Sequence, residues 1–339
     1  MDAAAAFRDG LARARRAPAL VGGTFLLTLL VSLPLAIALR GMIAAQLGDS
    51  ATANTLLTGT DYDWWQEFLA HATGLGTTFV PSIIGFGAVL LDLSNLIDNV
   101  PLAATIAGAV GAWLVLWSFL SGGILDRLAR DRPTRARGFF GACGAHFPAI
   151  VRLGILALIV YGVLFRFVHP VLFASAFGRL TRNMTAERQA FAVQLALYLI
   201  FGVALIAVNL LFDYARIRIV VEDRRSAIGA LTGAARFVRR NRGAVAAVYG
   251  MNALLFVALL LAYAVLTRAI PTGGAGLLAL ALGELYILAR HFLKLAFAAS
   301  ETALFQGRLA HAAYTAAPPV LWPESPAAEA IANAAGPNP

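Results

Sequence analysis

Six stretches of this chain, each long enough to cross a bilayer, are built mostly from apolar residues; they lie near 19–39, 102–124, 150–172, 190–212, 244–267 and 276–299. A helix needs about 20 such residues to span the hydrocarbon core, and inside that core only structures that satisfy their own backbone hydrogen bonds survive. The expected fold is therefore all-α: a polytopic integral membrane protein with six transmembrane helices. Composition agrees. The chain is 60% hydrophobic and only 13% charged, whereas a soluble domain carries about a quarter charged residues.

The net charge is +9, and Lys294 is the only lysine among its cations. The arginines do not gather on one soluble domain, as a nucleic-acid-binding surface would require. They fall in short stretches between apolar blocks, so no nucleic-acid partner is expected. Arg8, Arg13, Arg15 and Arg16 precede the first span; Arg127, Arg130, Arg132, Arg135 and Arg137 follow the second; Arg216 to Arg242 follow the fourth. Segment 41–101 has no Lys or Arg but contains Asp49, Asp61, Asp63, Glu67, Asp92 and Asp98. Basic loops stay in the cytoplasm. The pattern predicts a bacterial inner-membrane protein with both termini cytoplasmic, although Arg179, Arg182 and Arg188 then fall in a short outer loop.

The predicted organisation is a basic amphipathic segment at 1–18, a six-helix membrane domain over 19–315 and a tail at 316–339. Segment 41–101 forms the acidic outer part of the domain. The tail holds six prolines and no periodic apolar face, a composition that predicts disorder. Residues 79–93 are apolar but short, and Asp92 closes them. Counting them as a span would put the arginines of 127–137 outside, so they are expected to form a helix on the outer surface or packed on the bundle. Trp64 and Trp65, just before, suit an interfacial anchor.

Similar elements lead into spans one, three and five: "FRDGLARARRAPALVGG", "TRARGFFGACGAHFPAIVRLG" and "SAIGALTGAARFVRRNRGAVAAV". They read as interfacial elbow helices, with apolar faces in the membrane boundary and arginines at anionic headgroups. Arg236, Arg239, Arg240 and Arg242 are the candidate headgroup contacts. Three units of elbow plus hairpin would be a repeat; chance matches in Ala-rich sequence would look the same. In span two, Ala104, Gly108 and Ala112 form a small-residue stripe suited to close helix packing. Cys143, the one cysteine, excludes an internal disulfide and is expected to be a small packed residue.

"VVEDRRSAIGALTGAARFVRRN", residues 220–241, resembles a cytoplasmic stretch of uncharacterised bacterial multi-helix membrane proteins, including the membrane domain attached to some glycerophosphodiester phosphodiesterases. The shared pattern is an exit from a membrane helix, Glu222-Asp223, then Ser226 and a small-residue helix ending in arginines. Ser226 also suits a helix N-cap. The resemblance implies a multi-helix membrane fold. No soluble segment is long enough for the phosphodiesterase catalytic domain, so no activity carries over to any residue.

The last span, "GELYILARHFLKLAFAASE" over 283–301, carries unusual charge. At about 100° per residue, Glu284, Arg290, His291, Lys294 and Glu301 share an arc of about 120°. Ionised groups at this depth cost at least ~2.5–3.5 kcal/mol each on insertion scales, so they should face the bundle interior and pair. Asn252 and Asn209 lie at the depth of Lys294 and His291, and Arg166 at the depth of Glu284. Two readings follow: a fixed polar network, with Arg290, Lys294 and Glu301 near the inner interface, or a proton, ion or solute path. No phosphate-binding loop, nucleophile elbow or metal-ligand cluster appears, so neither an enzyme nor a cofactor is expected. The functional expectation is a membrane-embedded partner or scaffold, acting on another membrane protein or as a homo-oligomer. The alternative is a small transporter or permease-like subunit.

Overall fold

A computed structural model describes residues 1–48, 61–80, 86–101, 104–268 and 276–309. The tail at 316–339 and parts of the outer segment lie outside the described residues. Ten helices account for nearly all of the rest. In chain order they are α1 (Ala3–Arg15), α2 (Pro18–Leu47), α3 (Tyr62–His71), α4 (Phe86–Ile97), α5 (Ala104–Arg130), α6 (Ala136–Thr181), α7 (Glu187–Val221), α8 (Ala227–Arg240), α9 (Arg242–Arg268) and α10 (Gly276–Leu309). Residues with short oxygen-bearing side chains start the short helices. Asp2 accepts from the Ala5 N–H at 2.6 Å, Asp61 from Trp64 at 3.0 Å and Ser226 from Gly229 at 3.1 Å, each satisfying a backbone donor that the helix leaves free.

Five helices, α2, α5, α6, α7 and α9, are long and apolar enough to cross a membrane. Six were expected. The exception is α10: it has 34 residues, but Glu284, Arg290, Lys294 and Glu301 interrupt its apolar sequence. The five are largely uncovered by protein. Leu30 on α2, Leu158 on α6, Ile200 on α7 and Leu254 and Val265 on α9 are all more than half exposed. α2 runs through Pro34 without ending. Segment 86–97 is a 12-residue helix, too short to span, and it packs beside α9 and α7.

The best-packed part of the protein lies at one end. Leu295, Ala296, Ala299, Ser300, Glu301, Thr302, Ala303, Leu304 and Phe305 of α10 are all at most 2% exposed. Around them lie α1, the ends of α7 and α5, α8 and the start of α9. Small residues make this possible. Ala6, Gly10 and Ala14 form a stripe on α1 that meets α10, and a Cβ at Gly10 would overlap the Ser300 backbone. Gly123 of α5 sits equally close to Phe139 and Cys143. Arg13 ties the ends together: its Nη1 donates to the Leu128 carbonyl at 3.0 Å and to Gln306 Oε1 at 2.7 Å. Gln306 in turn donates to the Ala129 carbonyl at 3.0 Å. These carbonyls close α5, where a cation is also favoured by the helix dipole.

Several expectations change. The small residues of the elbows face protein, while Ile228 on α8 stays exposed. In α1 and α8 the small residues are buried against protein, Ala230 and Ala234 completely, because alanine and glycine offer close approach rather than bulk. The second elbow is not a separate element; Ala136–Thr181 is one helix with Pro148 inside it. The α5 stripe does not pack either: Gly108 and Ala112 are exposed, and space around Gly108 is open. Trp64 is 8% exposed and stacks on Phe68 at 5.4 Å, so it is a packing residue rather than an interfacial anchor. Cys143 is fully buried, as expected.

Candidate functional site in the bundle interior

Three helices bring polar groups to one place between the spans. On α7, Asn209, Asp213 and Arg216 are four and three residues apart, a spacing that puts them on one helix face. Asn209 Nδ2 donates to Asp213 Oδ2 at 2.8 Å, and Asp213 forms an ion pair with Arg216. On α10, Lys294 and Glu301 lie two turns apart on one face. On α5, Trp117 presents its ring to Lys294, whose Nζ is 3.5 Å from the ring centroid. Cation–π contacts of a lysine that keeps exposed surface contribute about 0.5–1 kcal/mol.

These residues surround a cavity of about 280 Å³ lined by Trp117, Ser121, Asn209, Asp213, Arg216, Tyr249, Lys294 and Glu301, with apolar neighbours. Its formal charges balance: Asp213 and Glu301 against Arg216 and Lys294. Their arrangement does not close. Glu301 is 2% exposed, and its Oε1 has no hydrogen-bond partner among the described residues. Lys294 keeps exposed surface and has no carboxylate within ion-pairing distance among the described residues. A carboxyl group without a hydrogen-bond partner and an ammonium without a carboxylate partner therefore line the same space.

The cavity has neighbours on two sides. Tyr249, Lys294 and Phe297 also line a space of about 670 Å³ that reaches Thr28, Asn252, Arg290 and His291. Trp117, Ser121, Asn209 and Arg216 also line one of about 410 Å³ that reaches Tyr161. In the first, Thr28 Oγ1 lies 3.1 Å from His291 Nε2, and Asn252 donates to its own helix at Val248 O, 2.9 Å away. Arg290 lies over Tyr286 at 5.7 Å and Phe256 at 5.9 Å. Polar lining thus runs from His291 through Lys294 to Asn209.

Of the residues singled out from sequence, His291, Lys294, Arg290, Asn252 and Asn209 line these adjoining cavities. Glu284 does not. It is half-buried, lines none of these cavities and makes no ion pair among the described residues. Arg166 is exposed at a π-helical turn of α6 and also stays apart. Glu301 is not an interfacial residue but part of the protein core. The fourth span read from the sequence ends at 212, whereas α7 continues to Val221 and carries Asp213 and Arg216 into the site. Their signal was present: Asn209, Asp213 and Arg216 fall within a narrow arc of one helix. Arg236, Arg239, Arg240 and Arg242 are all exposed and form no ion pair among the described residues.

Among the described residues no cluster of three or more His, Cys, Asp or Glu side chains is placed to hold a metal ion. The described fold is that of a multi-helix protein with membrane-spanning character. Comparison with protein-family models, with curated proteins and with solved structures gives no match to this chain.

Proposed function

We propose that this is a bacterial inner-membrane protein that crosses the bilayer six times, with both ends cytoplasmic, and that it binds and passes a small charged solute through its bundle interior without covalent chemistry. The single observation that carries the solute reading is the cavity lined by Glu301, with its unpartnered oxygen, and by Lys294, with no carboxylate partner. A purely structural network would give the enclosed Glu301 carboxyl a partner, because a buried polar group left without one is costly. Ionisable side chains that face an internal space in a spanning bundle mark substrate and ion pathways.

Support for α10 as the sixth crossing comes from helix ends. The start of α2, the end of α5 and the end of α10 meet through Arg13, Arg16, Arg127 and Gln306. The end of α7 and the start of α9 join the same core. With α10 running the length of the bundle, six ends alternate as an even number of crossings demands. Arginine density at that end supports its cytoplasmic side, and exposed Arg236, Arg239, Arg240 and Arg242 suit anionic headgroups there.

Solvent access tests the reading. Ser121→Cys in a Cys143→Ser background puts a thiol on the cavity wall. In proteoliposomes it should react with a small charged methanethiosulfonate reagent, while the Cys143→Ser parent should not. No reaction in well-folded protein would mean a dry network and would remove the solute path. One observation favours a second reading as partner or scaffold: the exposed α5 stripe at Gly108, Gly111 and Ala112, with open space around both glycines, is suited to another helix.

A further inference from the structure

A further cavity, away from the charged interior, opens between the start of α2, the second half of α5 and the start of α6. It is about 610 Å³, within the roughly 300–1,000 Å³ of small-ligand sites. Its walls are mostly apolar, including Leu20, Leu27, Leu116, Leu120 and Phe139. One end is different. Arg127 lines it, is 6% exposed, and has only half of its fork engaged: Nη2 donates to the Arg16 carbonyl at 3.0 Å, while Nη1 is buried with no hydrogen-bond partner among the described residues. Beside it α2 begins. Its N-cap, Ala17, supplies no side-chain cap, so the positive end of a 30-residue helix faces the same space. Asp131, just after α5, is paired with Arg16 through one oxygen, while its other oxygen is buried without a hydrogen-bond partner among the described residues.

An orphaned guanidinium N–H and a helix N-terminus at one end of an apolar slot call for a molecule with an anionic, hydrogen-bond-accepting head and a hydrocarbon tail. Phosphate oxygens fit the guanidinium well. We propose that this slot binds one anionic glycerophospholipid, with its phosphate on Arg127 and the first turn of α2 and an acyl chain along Leu20, Leu116 and Leu120. Exposed Arg132, Arg135 and Arg137 follow directly after α5 and would draw such a lipid to this end. The inference rests on the bilayer placement proposed above but not on the solute path. It is also distinct from the exposed arginines of α8, which offer charge without an apolar slot.

Gly23 offers a clean block. It lines the slot, and a Cβ built there meets nothing within 4 Å, so the side chain of Gly23→Phe starts into open space at the slot wall. The experiment is native mass spectrometry of the purified, delipidated full chain, titrated with phosphatidylglycerol, with phosphatidylcholine of the same acyl chains and with inorganic phosphate. Phosphatidylglycerol should occupy one tight equivalent and outcompete phosphatidylcholine, whose headgroup adds a quaternary ammonium beside Arg127, Arg16 and the positive end of α2. Arg127→Gln should weaken that equivalent at least about tenfold, the worth of a charge-assisted hydrogen bond to phosphate. Gly23→Phe should lose the tight equivalent for both lipids, with an unchanged melting temperature. Changing Arg236, Arg239, Arg240 and Arg242 to Gln should leave it intact. An undiminished tight equivalent in Gly23→Phe would overturn the site, and so would loss only in the α8 variant. Inorganic phosphate binding as tightly as the lipid would overturn the lipid assignment in favour of a free-anion site.

Discussion

Glu301 and Glu284 lie on one helix and differ in everything that decides their roles. Glu301 is fully enclosed beside Arg216 and Lys294, with an unpartnered oxygen; Glu284 is half-buried and free of ion pairs among the described residues. Glu301→Gln preserves shape while removing a carboxylate that lacks a hydrogen-bond partner, so the melting temperature should hold or rise. Asp213→Asn breaks the Arg216 pair and should destabilise the protein at the low end of the ~3–5 kcal/mol typical for half of a buried pair, because the pair borders a cavity. Glu284→Gln should change stability by less than about 0.5 kcal/mol. Thermal unfolding in one detergent ranks the three. A large loss in Glu301→Gln would show that its carboxylate is held by the fold and is not kept for a ligand. The sequence exposed these groups unevenly. Charge inside an apolar run drew attention to α10, but the sequence alone gave no reason to rank Glu301 above Glu284, since depth and enclosure depend on what packs around each.

At the scale of elements, α1 shows how misleading an amphipathic sequence can be. Its small residues and arginines suit a membrane-surface helix, yet the same residues suit a protein groove lined with alanine and glycine. The structure places it in that groove, with Gly10 directly on the Ser300 backbone. Gly10→Leu should therefore cost more than about 3 kcal/mol, beyond ordinary overpacking, or release α1 altogether. Limited trypsin digestion should then cut at Arg13 and Arg15, which the intact protein should resist. Gly22→Leu, on a helix face with no neighbour within 4 Å, should unfold like the parent. If Gly10→Leu also behaves like the parent, α1 does not dock on α10. For α8, changing Arg236, Arg239, Arg240 and Arg242 together to Gln should weaken retention of the anionic lipid bound beyond the single slot equivalent, by roughly 1 kcal/mol per cation, with no change in melting temperature, since all four are exposed. Unchanged lipid retention would exclude a headgroup role for them.

The whole molecule is a set of long apolar helices, largely uncovered by protein, joined to a protein-packed core at the arginine-rich end. If that end is cytoplasmic, Met184, in the exposed link between α6 and α7, is outside, and Ala235 on α8 is inside. In a Cys143→Ser background, Met184→Cys should react with an impermeant thiol reagent on intact spheroplasts. Ala235→Cys should react only after lysis. Equal reaction of both before lysis would break the alternation on which six crossings depend.

By itself, the sequence determined the all-α class, the positions of five apolar spans, the N-cap at Ser226 and the placement of charge along α10. These depend on neighbours in the chain: segment length, hydropathy, and which side chains reach their own backbone. Only the tertiary structure decided that α1 and α8 pack on protein, that the small-residue stripe of α5 stays open, and that Asp213 and Arg216 meet Lys294 and Glu301. Small residues permit close approach without saying to what, and a buried charge is defined by the helices around it. Both are facts about neighbours far apart in the chain, and neither periodicity nor composition carries them.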